Sequence, residues 1–156
     1  MRKGQAKKRH IAPDPKYKET LVTKFVNSLM KDGKKSLATR IFYNTLDKIQ
    51  EKTEEDALTV WKRGLSNVTP AIEVKRRRVG GATFQVPVEV RADRKTALGI
   101  KWLITCARNR SEYTIVDKLA NETIAASKGE GNAVKKKNDT HKMAESNRAF
   151  SHLRVK

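Results

Sequence analysis

Positive charge is segregated along this chain, and the segregation limits where a core can form. Residues 1–18 carry seven cations against Asp14, and residues 75–95 carry seven against Glu89 and Asp93. Residues 128–156 carry eight against Glu130, Asp139 and Glu145. Together these segments hold +16 of the formal net charge of +18. Like charge at that density opposes compaction, so the segments require a polyanionic partner, and nucleic acid is the leading candidate. The composition, 37% hydrophobic and 33% charged, fits a small core with charged extensions. A chain of 156 residues can bury one such core without metals or disulfides.

Helical periodicity supplies that core. The segment "APDP" (12–15) opposes a helix start before Lys16, so residues 1–18 read as a basic extension, disordered when free. From Thr20, the spacing of Leu21, Val22, Phe25, Val26, Leu29 and Met30 predicts a helix stopped by Asp32-Gly33. Leu37, Ile41, Phe42, Leu46 and Ile49 predict a second, ending near Gln50. Thr53 with Asp56 resembles a capping box for a third, lined by Leu58, Trp61, Leu65 and Val68 and ended by Thr69-Pro70. A fourth, capped by Asp93, is apolar on nearly all sides (Leu98, Ile100, Trp102, Leu103, Ile104, Ala107). A fifth runs from Ile115 to Ser127 with Gly129 at its end, and Asn132 caps a sixth. The stripe of this last helix (Val134, His141, Met143, Phe150) is thin enough to need a partner for full order.

Between the third and fourth helices, "IEVKRRRVGGATFQVPVEVR" (72–91) predicts strands over 72–79 and 83–90 joined at Gly80-Gly81, where a tight hairpin turn demands positive φ. Alternation puts Ile72, Val74, Arg76 and Arg78 on one face and Lys75, Arg77 and Val79 on the other. The base can then pack on helices while the tip shows cations on both faces. An isolated hairpin is marginal in water, so a tip of this kind reads as a probe into a phosphate-rich groove. Arginine fits phosphate and base edges bidentately, which favours that reading over a merely solvated arm. The expected fold is mainly α: a single domain of about six helices with a protruding two-stranded arm at 72–90 in a body over 19–156, preceded by the 1–18 extension.

The residues point away from catalysis. "DGKKS" (32–36) has Ser28 where a phosphate-binding loop needs glycine and Lys35 where it needs Ser or Thr. "GEGNAV" (129–134) follows no strand and reads as a helix cap. His10, His141 and His152 lack metal-ligand spacing, and the lone Cys106 sits in an apolar helical stretch as a core thiol. No cofactor, metal, small-molecule substrate or membrane contact is expected, and no signal peptide, since no apolar run follows the basic N-terminus. Aromatics are 6%, and no sheet carries the stacked rings of a single-strand reader. Recognition is therefore expected of folded, largely double-stranded RNA, by shape and backbone. The acidic cluster Asp47, Glu51, Glu54, Glu55 and Asp56 reads as a solvated face, with a dock for a basic partner as the lesser reading.

Three stretches carry a family resemblance: "NVTPAIEVKRRRVGGATFQVPVEVR", "KFVNSLMKDGKKS" and "AVKKKNDTHKMAESNRAFSHLR". The chain resembles ribosomal protein seven of the small subunit, bacterial or plastid type, from "DPKY" (14–17) to its C-terminus. The resemblance implies six helices with a β-ribbon arm. It implies binding to the 3′ major domain of small-subunit ribosomal RNA, nucleation of head assembly, and a place near exit-site transfer RNA and the outgoing message. Small-subunit proteins nine and eleven are its implied neighbours. Localisation follows as cytoplasmic, on the ribosome, or in an organelle stroma or matrix for a plastid-encoded version.

Carried over by position, the arm comprises Lys75, Arg76, Arg77, Arg78, Gly80 and Gly81. Ribosomal RNA contacts fall to Lys34, Lys35, Lys75, Arg91, Arg94, Lys95, Arg108 and Arg110, with Arg2, Lys3, Lys7, Lys8, Arg9 and His10 of the extension. The arm tip joins Lys135, Lys136, Lys137, His141, Lys142 and Arg148 of the last helix on the exit-site side. Arg76 departs from the small residue common there, adding a cation to the arm. Two rivals remain: a DNA-architectural protein, since basic β-arms also enter and bend the minor groove, and a regulator binding its own message.

Overall fold

The structure, a computed structural model, describes residues 9–153. The cations Arg2, Lys3, Lys7 and Lys8 lie outside the described residues. Six α-helices form in order: α1 (Thr20–Leu29), α2 (Lys35–Lys52), α3 (Ala57–Val68), then, after a hairpin, α4 (Ala92–Arg108), α5 (Ile115–Ser127) and α6 (Gly131–Ser146). A 3₁₀ helix, Arg148–Leu153, follows. The hairpin pairs β1 (Ile72–Val79) with β2 (Ala82–Glu89). The expected mainly helical fold with one β-ribbon is therefore present. By its own contacts the backbone divides into two compact units, Met1–Arg40 and Ile41–Lys156, with the division inside α2.

In the first unit, α1 buries Val22, Phe25, Val26 and Leu29, the i, i+3, i+4 stripe of its sequence. The residues before it are turned: the Asp14 carboxylate accepts the N–H groups of Lys16 and Tyr17, at 3.0 and 3.1 Å. The Thr23 hydroxyl donates to the Ala12 carbonyl at 2.9 Å, pinning this segment onto α1. Asp32 and Gly33 adopt positive φ (52° and 72°), the stop that the sequence implied. Leu37 departs from expectation and is exposed. Ala38, about 100° further round α2, is buried instead.

In the second unit, α3 to α6 share the core with the last turns of α2. Trp61 is fully buried and meets the edge of Phe42 (centroids 5.3 Å apart, planes at 76°). Gly64 lets α3 lie close on α5, since a Cβ there would sit 2.9 Å from the Thr123 carbonyl oxygen. α4 buries Gly99, Ile100, Leu103, Ile104, Cys106 and Ala107, whereas Leu98 and Trp102 are only half-buried, so it is less enclosed than its sequence suggested.

Three expected caps are replaced. Thr53 bonds back to the Ile49 carbonyl (2.7 Å), because α2 continues to Lys52, and Asp56 caps α3 by accepting the Thr59 N–H at 2.9 Å. That bond and one from the Thr59 hydroxyl hold the Asp56 carboxyl below its ordinary range. Arg91 takes the cap position of α4, leaving Asp93 inside the first turn, where its charge suits the helix dipole. Glu130 precedes α6, leaving Asn132 within that helix's first turn.

Candidate nucleic-acid interface

Alternation and a two-residue turn build the arm. Val79 pairs with Ala82 across Gly80 and Gly81, whose φ values of 57° and 87° give the twist of a primed hairpin turn. The second strand occupies 82–89, one residue earlier than the alternation suggested, because the turn uses only the two glycines. Arg76, Arg77 and Arg78 stand opposite Gln85, Phe84 and Thr83. Arg76 and Arg78 are exposed on one face; on the other, Lys75 is exposed and Arg77 half-buried. The tip thus offers guanidinium groups to both sides, while Val86 at the base is fully buried.

Ion pairing and packing brace the ribbon at two levels of one face. Glu73, buried in β1, receives the Arg94 Nε at 3.0 and 2.8 Å and the Lys75 Nζ at 3.3 Å. The bond fixes where α4 begins relative to the arm, and Arg94 keeps more than half of its side chain exposed (56%). Arg91 is exposed and Lys95 half-buried in the same region. Further toward the tip on the same face, Phe150 of the 3₁₀ helix packs on Phe84, opposite Arg77, with centroids 5.2 Å apart.

α6 presents two kinds of basic residue. Lys135, Lys136 and Lys142 are exposed, and Arg148, expected on the same helix, is exposed on the 3₁₀ helix instead because α6 ends at Ser146. Lys137 donates to the Asn67 carbonyl at 2.8 Å, and His141 Nε2 accepts the Ala71 N–H at 3.2 Å. Burial, then the Lys137 charge, lowers the His141 pKa, which favours the neutral ring that can accept. These two side chains hold α6 against the end of α3 and the root of the arm. Two polar bonds thus tie the helix with the thin stripe to its own unit.

Arg110 is likewise engaged internally. Its Nη1 donates to Glu122 and its Nε to Glu112, at 2.8 and 2.9 Å. The bond to Glu122 is the main reason the guanidinium pKa is raised. Asn121, the Glu112 backbone and Arg110 hold the Glu112 carboxyl down to about 2. Arg108 is half-buried at the end of α4, with its carbonyl 3.4 Å from the Lys118 ammonium.

In the first unit, Arg9, His10, Lys34 and Lys35 are exposed. A groove beside α1 brings Arg9 and His10 to the same lining as Lys35, Asn27 and Thr39. The acidic cluster is exposed throughout: Glu51 pairs with Lys48, Glu55 with Arg63, and Asp56 caps α3. Sequence reasoning missed Glu73 and Glu122, the two buried carboxylates that organise the basic residues. Glu73 stands alone among the valines and cations of β1, a usable signal; Glu122 sits between Asn121 and Thr123 with nothing to mark it. Among the described residues, no His, Cys, Asp and Glu cluster suits a metal, and no helix is long and apolar enough to cross a membrane. The side chains shown can bind polyanions; none is arranged as a nucleophile with its base.

Comparison with known proteins gives a consistent match. The model of the family described as "Ribosomal protein S7p/S5e" matches residues 1–148. The chain is 64% identical over 155 residues to the small ribosomal subunit protein uS7 of Amoebophilus asiaticus, covering 99% of this chain and 100% of that one. It is 63% identical over 154 residues to that of Cytophaga hutchinsonii, covering 99% of each. It is 56% identical over 153 residues to that of Chelativorans sp., covering 98% of each.

Proposed function

The chain belongs to the ribosomal protein S7p/S5e family, and from that premise we propose that it binds the 3′ major domain of small-subunit ribosomal RNA and nucleates assembly of the subunit head. It is a structural constituent of the small ribosomal subunit, associates with ribosomal RNA, and is not an enzyme. In the proposed reading, Arg9, His10, Lys34, Lys35, Lys75, Arg91, Arg94 and Lys95 contact ribosomal RNA. The tip residues Arg76, Arg77, Arg78, Gly80 and Gly81 face exit-site transfer RNA and the outgoing message, as do Lys135, Lys136, Lys142 and Arg148. Small-subunit proteins nine and eleven are the neighbours, on cytoplasmic ribosomes.

The observation that carries this reading is the arm itself. Three consecutive arginines lie along the distal half of a ribbon whose base is buried, with Arg76 and Arg78 exposed and Arg77 half-buried, and the ribbon is held in place by Glu73 with Arg94 and by Phe84 with Phe150. Phosphate contacts spread over segments far apart in sequence can pin several RNA helices at a junction and neutralise the charge that opposes compaction. The test is binding to a transcript of the 3′ major domain, in competition with duplex DNA of equal charge, over a salt series. Six to ten phosphate contacts predict an affinity loss of about 10³–10⁵ between 50 and 200 mM salt. Binding that survives excess DNA at physiological salt supports the assignment; equal competition by DNA overturns it.

A further inference from the structure

α6 carries few apolar residues, and of its side chains only Ala133, Val134 and Ala144 are buried. So little area does not fix the direction of a 16-residue helix. Its N-terminus also lacks a local cap, because Glu130 makes no side-chain capping bond. The donors there still need acceptors. One comes from another helix: Glu122 Oε1, on α5, accepts the Ala133 N–H at 2.8 Å. The Glu122 side chain is fully buried, and its other oxygen takes the Arg110 Nη1 at 2.8 Å. Arg110 is tethered in turn by Glu112, which also receives the Asn121 amide at 3.0 Å. A buried carboxylate at a helix N-terminus satisfies a donor and opposes the positive end of the dipole, and its own charge is met by Arg110.

We propose that Glu122 is a positioning residue for RNA binding: a cap delivered from α5 that aims the exposed Lys135, Lys136 and Lys142 of α6, with Arg110 as its counter-ion. The inference rests on the reading that those lysines meet RNA. Without Glu122, α6 is held through its middle by Lys137 on Asn67 and His141 on Ala71, and its first turn swings about those points. The lysines nearest that turn then lose register with the phosphates, although no RNA-contacting group has been removed.

The test compares wild type, Glu122→Ala, Glu122→Gln and the triple variant K135Q/K136Q/K142Q as full-length proteins. Amide exchange at Ala133 and Val134 and affinity for the 3′ major domain transcript over a salt series are read for each. Removing three phosphate contacts lowers the salt slope by about 2–3, and the triple variant is expected to do this with α6 protection intact. Glu122→Ala is expected to lose protection at Ala133 and to reproduce most of that slope change, with about tenfold weaker binding, the scale of one or two phosphate contacts. Glutamine keeps an oxygen for the Ala133 N–H, so Glu122→Gln is expected to retain the protection and most of the affinity. If Glu122→Ala fails to fold, Glu122→Gln carries the comparison, and loss of Ala133 protection there overturns the cap. Wild-type affinity in Glu122→Ala beside a weakened triple variant overturns the positioning role alone. An unweakened triple variant overturns the reading of α6 and the positioning role with it.

Discussion

His141 and Ala71 lie seventy residues apart, and the ring Nε2 of one accepts the backbone N–H of the other at 3.2 Å. Ala71 immediately precedes β1, so the bond joins α6 to the root of the arm. It requires a neutral imidazole, which burial and Lys137 favour by lowering the pKa below its ordinary 6.5. A group whose folded pKa is depressed stabilises fully above its unfolded value and loses that contribution as pH falls through the folded value. Protection of the Ala71 amide, corrected for intrinsic exchange, should therefore hold at neutral pH and fall as pH drops through the lowered His141 value. Equal protection of Ala71 in wild type and His141→Phe at neutral pH would rule out the latch.

On the proposed reading, reversing the arm charges, as R76E/R77E/R78E, should weaken exit-site function more than initial binding to ribosomal RNA, because these residues lie in the distal half of the ribbon. A binding assay paired with a translation assay checks this. Equal losses in both would refute the division of labour between arm and body.

Gly64→Ala should destabilise the protein by about 1–3 kcal/mol, the usual cost of forcing a methyl into a packed contact. The added Cβ would meet the Thr123 carbonyl oxygen at 2.9 Å, and backbone cannot move aside as a flexible side chain would. Denaturant unfolding measures the change; a midpoint equal to wild type would show that α3 and α5 part freely.

Asp56→Ala should cost about 1 kcal/mol, the value of a helix N-cap. Thr59 holds the Asp56 pKa below 3.8, so the contribution is present above that pH and lost as pH falls through the lowered value. Thr53→Ala should cost less, because Thr53 bonds back into α2 rather than capping α3. Equal destabilisation by the two, measured by thermal unfolding at pH 7, would return the cap to Thr53.

The helices and the hairpin were legible because apolar spacing in the sequence sets them directly. Val22, Phe25, Val26 and Leu29 make one stripe whatever they touch, and Gly80-Gly81 permits the tight turn found there. Caps were less legible, since Thr53, Asp93 and Asn132 all carry capping side chains and only backbone direction decides which residue serves. The internal roles of Arg110, His141 and Lys137 were illegible. A cation beside other cations looks the same in sequence whether a carboxylate or carbonyl waits for it or not, and Glu122 is brought to Arg110 only by the turn between α4 and α5.

Pro87 has one more consequence. A two-stranded ribbon presents main-chain groups along both sides, open to pairing with the same ribbon of another molecule while the protein awaits its RNA. Pro87 has no N–H to give a strand arriving at β2, and Arg76–Arg78 would set cation against cation where β1 met β1. The proline on β2 and the cations on β1 thus blunt the two edges of the ribbon against strand addition.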